Sequence, residues 1–192
     1  VLAALEAGLT GLEEWNGLPG SVGGAVYGNA GCFDVETKDV LKEAMIFVAG
    51  EGVKTVDAAY FDYGYRHSWL KEEGGVVLSA VFKLKEGDKT VIQEKMKEIA
   101  RSRIKKQPPG SSTGSFFKNP PGDFAGRLIE AAGLKGKRLG KARISDQHAN
   151  FFLNTGGASA SEILELAALA EEEVLKQFGI KLEREVVFVP SE

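Results

Sequence analysis

The stretch Gly17-Leu-Pro-Gly-Ser-Val-Gly-Gly-Ala-Val-Tyr-Gly-Asn-Ala-Gly31 packs six glycines into fifteen residues. Glycine at that density marks backbone that turns through conformations a Cβ disfavours, or backbone that another group must approach closely. Runs of small residues also present successive N–H groups in a concavity that accepts phosphate oxygens or lets a flat ring lie against the main chain. The string lacks the Gly-Lys-Ser/Thr of a Walker loop, and it is not a Gly-x-Gly-x-x-Gly turn after a strand. Glycine content alone leaves it open between a structural turn and a nucleotide-binding loop.

Glycine makes up 24 of the 192 residues, against an ordinary share of about 7%. Eight of them fall in residues 8–31 and seven in 110–140, so the remainder of the chain reads as scaffold for two glycine windows. A content of 43% hydrophobic, 27% charged and 9% aromatic residues is that of a soluble globular chain, one domain or two small ones. It excludes disorder, collagen and coiled coil as whole-chain readings. The net charge of −3 provides no basic field for nucleic acid or an anionic membrane. No apolar run approaches the roughly 18–20 residues of a membrane span.

Cys32 is the single cysteine, so no intrachain disulfide forms and a reducing cytoplasm is the expected compartment. Together with His67 and His148 it shows no zinc spacing, and no metal is expected. The chain opens at Val1 inside a helix-like pattern, and no signal peptide is expected.

Outward from the glycine window, residues 1–8 fit the end of a helix closed by Gly8. Met45–Val48 and Val53–Val56 read as two strands around Gly50-Glu51-Gly52, and the β-branched run Val76–Leu84 as a buried strand. Apolar residues then recur at helical spacing over 90–106, with Thr90 and Gln93 as a capping box and Pro108-Pro109 as the stop. A boundary between two units is expected near 86–90. The second unit holds a Gly/Ser-rich stretch (110–122), a helix near 124–132 capped by Asp123 and ended by Gly133, and a strand at Phe151–Asn154. A long helix opens at the capping box Ser159–Glu162 and ends at Gly179. A last strand over 180–189 would set Ile180, Leu182, Val186 and Phe188 on one face and Glu185, Val187 and Val189 on the other.

GLPGSVGGAVYGNAG resembles the pyrophosphate- and flavin-contacting loop of the UDP-N-acetylenolpyruvoylglucosamine reductase family, flavoenzymes that complete UDP-N-acetylmuramate in peptidoglycan synthesis. Further segments are similar to that family in the same order. They are Tyr65-Arg66-His67-Ser68, Gly114-Ser115-Phe-Phe-Lys-Asn-Pro120, Phe124-Ala-Gly-Arg-Leu-Ile129, Gly133-Leu-Lys-Gly136, His148-Ala-Asn-Phe151 and Glu183-Arg-Glu-Val186. The collinear likeness runs from about residue 9 to residue 189. Gly28 departs from it, since many relatives carry methionine before the asparagine.

The resemblance implies an α+β fold in two parts. Residues 1–86 would be the latter lobe of a two-lobed, vanillyl-alcohol-oxidase-like FAD-binding domain, and 88–192 an α+β UDP-sugar substrate-binding domain of the shorter structural type. The family's first flavin-binding lobe would then precede Val1, and this chain alone would bind flavin weakly and turn over little. NADPH would reduce FAD, and hydride would pass to UDP-N-acetylglucosamine enolpyruvate; a monomer is favoured.

Hydride addition to the β-carbon of an enolpyruvyl ether leaves negative charge that spreads into the neighbouring carboxylate. Such a site needs a cation, a hydrogen-bonding acid and a proton donor for the α-carbon. By resemblance Ser115 is the proton donor, and Arg66 and Glu185 stabilise the enolic intermediate. A neutral Glu185 requires a raised pKa, which burial against Val187, Val189 or the flavin could supply. Gly17, Pro19, Gly20, Ser21, Val22, Gly23, Gly24, Ala25 and Asn29 would contact the flavin cofactor. Tyr65, Lys106, Asn119, Arg127 and His148 would line the UDP-sugar pocket. Taken singly, each residue has an ordinary alternative: a turn hydroxyl, a solvated arginine, an ion-paired glutamate. Two other functions stand beside the reductase, another two-lobed flavoprotein oxidase and a non-catalytic UDP-sugar or flavin-binding fragment.

Overall fold

Short polar side chains and glycine bound the two helices Val22–Gly28 (Ser21, Asn29) and Ala160–Phe178 (Ser159, Gly179). The structure is a computed structural model that describes residues 1–33 and 35–189. It mixes helices and antiparallel sheets, an α+β arrangement, in two compact units, Val1–Ser102 and Arg103 onward. Among the described residues no helix is long and apolar enough to cross a membrane.

The first unit opens with α1 (Leu2–Glu6), β1 (Leu9–Thr10) and a 3-10 turn at Glu13–Trp15, followed by α2 (Val22–Gly28), β2 (Gly31–Cys32) and β3 (Val35–Glu36). Then come α3 (Thr37–Val40), β4 (Leu41–Val48), β5 (Gly52–Asp57), a 3-10 turn at Ala58–Phe61 and α4 (Leu70–Glu73). β6 (Val76–Phe82), β7 (Lys85–Glu86) and most of α5 (Lys89–Lys106) complete it. Antiparallel strands in the order β5-β4-β6 form the main sheet, with Phe47 opposite both Val53 and Val76. Val26 of α2 packs on it with Ala44, Ile46, Phe61 and Leu70.

Three expectations need correcting here. The run at 76–84 is not a buried strand: β6 lies at the sheet edge, and Val76, Leu78 and Val81 are exposed. A continuous β-branched run suits a strand covered on both faces, but it also suits an edge strand with one open face. The helix at 89–106 is capped by Asp88, whose carboxylate accepts from the Thr90 and Val91 N–H groups, rather than by Thr90 and Gln93. Nor does α5 open the second unit. The division falls after Ser102, because Ile92 and Met96 are buried, Asn16 donates to the Met96 carbonyl at 2.9 Å, and Lys95 pairs with Glu14.

The second unit contains β8 (Ser111–Ser115), α6 (Ala125–Ala131), β9 (Arg138–Leu139), β10 (Ala142–Ile144), β11 (Phe151–Asn154) and α7 (Ala160–Phe178). Its antiparallel sheet has the order β8-β11-β10-β9. Phe117 and Phe152 pack there against Leu128, Ile129, Leu166 and Val174 from the two helices. The capping box forms as the sequence suggests, Ser159 and Glu162 each accepting the other's backbone N–H. At the end of α6, Gly133 donates to Glu130 and Leu134 to Ile129, the paired bonds of a Schellman closure. At its start Asp123 binds the Phe124 N–H and Asn119 the Ala125 N–H, so two residues share the capping expected of Asp123.

Residues 180–189 do not form the expected strand. Pairing with the β8 extension is confined to one bridge, Phe117 with Arg184, and two backbone hydrogen bonds around it. Leu182 is buried, but Phe188 is exposed although it shares parity with Leu182. Once the chain leaves the sheet, alternation no longer separates a covered face from an open one.

Candidate active site

In the first unit the glycine window divides into two parts. Residues 17–21 form an exposed loop leading into α2, where Ser21 is the N-cap and its hydroxyl accepts the Gly24 N–H at 3.0 Å. Helix geometry leaves the Val22 and Gly23 amides of the first turn without an intrahelical acceptor. Gly17, Pro19, Gly20, Ser21, Val22 and Gly24 are exposed, and Gly23 and Ala25 half-buried. This half fits an anionic, flat ligand lying along the backbone.

The other half is turned inward. The last carbonyls of α2 meet side chains: the one Thr37 hydroxyl proton is shared between Ala25 and, just beyond the helix, Ala30, while Tyr63 donates to Val26 at 2.8 Å and Ser68 to Tyr27. Burial pushes the Tyr63 phenol up, so it stays protonated as that donor. Asn29 is fully buried at the end of the helix. Its two amide protons go to Glu36 Oε2 and the Gly64 carbonyl, and its Oδ1 accepts the Lys38 N–H. Among the residues expected at the flavin, Asn29 thus has its side-chain amide wholly engaged within the protein.

Arg66 sits on a tight turn closed by reciprocal Gly64–His67 backbone bonds of 3.2 Å. Its guanidinium lies 5.1 Å from the centre of the exposed Tyr65 ring, and Nη2 donates to the Gly31 carbonyl at 2.7 Å. Gly31 has to be glycine: a Cβ there would fall 2.7 Å from Glu36 Cγ and 3.1 Å from Arg66 Nη1. The flavin-loop segment and the arginine segment are therefore one structure.

In the second unit Ser115 is exposed at the end of β8, paired with Phe151 of β11. Buried Phe116 and Phe117 anchor the chain that follows it. Asn150, 2% exposed, accepts the Phe117 N–H at 2.9 Å and donates back to the Phe117 carbonyl at 2.8 Å, while its own carbonyl takes the Phe116 N–H. Glu185 reaches the same stretch, its N–H donating to the Phe116 carbonyl at 2.9 Å. The Glu185 side chain is half-buried, but Val187 and Val189 are exposed, so they do not supply the burial expected of them.

His148 is half-buried against Phe151, its Nδ1 accepting the Asn150 N–H. That bond puts the neutral ring's proton on Nε2. Burial lowers the pKa of His148 from the ordinary histidine value. The ring lies on the backbone of α6, where a Cβ at Gly126 would come within 2.9 Å of it. Arg127, exposed, is held in a two-point pair with Asp123, its Nε 2.6 Å from Oδ1. The Asp123 carboxyl is brought down to about 2 by that arginine and by the Phe124 N–H. Lys106 is exposed at the end of α5, one residue beyond the Lys105 carbonyl that accepts from Gln147 at 2.8 Å.

The structure thus links Ser115, Glu185, Asn119, Arg127 and His148 through adjoining elements of one unit, and Arg66 with Tyr65 to α2 in the other. Two connecting residues had no assigned role in the sequence reading. Asn150 stood unremarked inside the His148–Phe151 motif, where a buried asparagine between apolar neighbours is the available signal. Gln147 gave none.

Residues 105–189 match the C-terminal domain of UDP-N-acetylenolpyruvoylglucosamine reductase. The reductase of that name from Pediococcus pentosaceus is 45% identical over 190 residues, covering 98% of this chain and 63% of its own length. That from Chloroflexus aurantiacus is 49% identical, covering 96% and 63%. The crystal structure of the Thermus caldophilus reductase superposes with a TM-score of 0.87 at 42% identity, covering 98% of this chain and 68% of that one. The chain belongs to the UDP-N-acetylenolpyruvoylglucosamine reductase family. It spans about three fifths of the length of the curated reductases it matches. The reductase C-terminal domain match begins two residues after the Arg103 boundary of the second unit.

Proposed function

We propose that this chain carries the substrate half and part of the cofactor half of an NADPH-dependent flavoenzyme of peptidoglycan synthesis. The reaction is reduction of UDP-N-acetylglucosamine enolpyruvate to UDP-N-acetylmuramate in the cytoplasm. The observation that carries this reading is the bond from the Glu185 N–H to the peptide following Ser115. It joins an acid-bearing segment to a hydroxyl-bearing one, which a flavoprotein oxidase or a simple binding module does not require.

The exposed loop at residues 17–25 would hold FAD, with the Val22 and Gly23 amides facing its diphosphate. Bound there and reduced by NADPH, the flavin would supply hydride chemistry toward the substrate's β-carbon. Arg66 offsets the charge that then spreads toward the substrate carboxylate, and its Gly31 and Tyr65 contacts hold the guanidinium ready for that charge. Glu185, whose segment is tied to the Phe116 carbonyl, stabilises the enolic intermediate. The Ser115 hydroxyl passes its proton to the α-carbon. Asn119, His148 Nε2–H, Arg127 and Lys106 bind the sugar nucleotide, the two cations facing its diphosphate. Arg127 is already paired with Asp123, so the diphosphate has to share it.

The test is substrate-dependent NADPH consumption by FAD-loaded protein extended to the length of the family's reductases. The reading expects consumption only when the enolpyruvyl sugar nucleotide is present. Consumption that is indifferent to it overturns the assignment.

A further inference from the structure

We propose that Asn29 is a positioning residue for Arg66, an inference that rests on the reading of Arg66 as the cation of the reaction. Arg66 is a non-glycine residue in the left-handed region, at φ +55°, on a turn of only two central residues. Such backbone is unfavourable by itself and persists where its surroundings over-determine it. Lys71 of α4 donates to the Arg66 carbonyl at 2.7 Å, and the ties on either side of the turn converge on the C-terminal end of α2. Before the turn, Tyr63 is tied to Val26; after it, Ser68 is tied to Tyr27; at its base, Asn29 Nδ2 donates 2.9 Å to the Gly64 carbonyl.

Of Tyr63, Ser68 and Asn29, it is Asn29 that also reaches the side that holds the guanidinium. Its second amide proton goes 3.0 Å to Glu36 Oε2, and the Glu36 side chain packs over Gly31, whose carbonyl accepts from Arg66 Nη2. One buried amide therefore fixes the base of the turn and the carboxylate beside the guanidinium's acceptor. Asparagine suits the place because its backbone is itself left-handed, at φ +46°, which this residue type tolerates better than most. Through these bonds the residue acts on Arg66 and makes no contact with substrate.

Two variants separate the side chain from the backbone. Asn29→Asp is isosteric and keeps the acceptor for Lys38 but loses both donors; Asn29→Gly keeps the left-handed backbone and loses everything else. In FAD-loaded protein of the family's full length, each should lower kcat for the enolpyruvyl substrate by about 10–10²-fold, the penalty of a displaced catalytic group. The rate of flavin reduction by NADPH should stay unchanged. In an Arg66→Ala background the same variants should cost nothing further, since a positioning residue has nothing left to position.

A readout free of turnover is amide hydrogen exchange in the present chain. His67 should exchange faster in both variants while the β4 amides keep their protection. Equal slowing with and without Arg66, an unchanged kcat, or loss of protection in β4 together with His67 overturns the proposal. If Arg66→Ala alone leaves the rate unchanged, the reading of Arg66 fails, and the proposal falls with it whatever Asn29 does.

Discussion

The N–H of Glu185 donates to the carbonyl of Phe116 at 2.9 Å, one peptide beyond Ser115. The contact is made although residues 180–189 form no strand, because the local pairing is confined to the bridge at Phe117 and Arg184. On the other side of the same segment, Asn150 closes a two-way bond with Phe117. The peptide after Ser115 is thus gripped from both sides while Ser115 itself stays exposed. If Ser115 acts as the proposed proton donor, this fixed backbone would keep its hydroxyl aimed at one carbon.

Asn150→Ala should destabilise the second unit, because it leaves the buried Phe117 N–H and carbonyl unpaired. Each orphaned group costs about 1–3 kcal/mol. Urea denaturation should show a lower midpoint with an unchanged slope. An unaltered midpoint would mean that Asn150 does not hold the strand.

Gly31→Ala should be costly, since the new methyl meets Glu36 and the Arg66 guanidinium together. Overpacking of this kind typically costs about 1–3 kcal/mol. Thermal unfolding should register the loss, and Gly28→Ala, where φ is ordinary and a Cβ meets only the Lys71 side chain at 4.0 Å, controls for crowding around the new methyl.

His148 makes stability depend on mild acid. Burial is the main cause of its lowered pKa, with Lys135 acting in the same direction and Glu130 opposing. A depressed value in the folded state means the full contribution is present above the unfolded pKa of about 6.5 and is lost as the pH falls through the folded value. Protonation also removes the acceptor for the Asn150 N–H. Melting temperature between pH 8 and pH 5 should fall further for the natural chain than for His148→Gln; parallel curves would contradict this.

Asp123 works over a more acidic range. Its carboxyl is held at about 2 by Arg127 first and the Phe124 N–H second, so its contribution is in place above the ordinary value of 3.8 and is lost as the pH falls toward 2. The ion pair therefore persists at neutral pH, so a diphosphate bound as proposed would have to share Arg127 with Asp123. Arg127→Ala should weaken UDP binding by about tenfold or more, the scale of a charge-assisted bond, and Asp123→Asn should tighten it. Titration calorimetry with UDP measures both.

Much of the scaffold could be read before any coordinates. Ser159, Glu162 and Gly179 bound a helix because local capping chemistry depends on neighbours a few residues apart. The glycine window and the Tyr65–Ser68 segment could each be picked out by composition and likeness. That Tyr63 and Ser68 both serve the carbonyls of α2 could not, since those bonds span 37 and 41 residues. The edge position of β6 was equally hidden, because a β-branched run does not say which of its faces is covered. Asn29 shows the limit most plainly: its place in a glycine-rich string suggests a ligand contact, whereas its amide is spent on holding a turn 35 residues away.

The central claim is that Ser115 donates the proton in a reductase reaction. Its most direct test is anaerobic single turnover of FAD-loaded, full-length protein, natural and Ser115→Ala, first reduced by NADPH and then mixed with the enolpyruvyl sugar nucleotide. Both proteins should lose their yellow absorbance equally fast with NADPH. On addition of substrate the natural protein should regain it, and the variant should lag by about 10²–10⁴-fold, the usual contribution of a general acid. Equal recovery in the two proteins would contradict the role of Ser115.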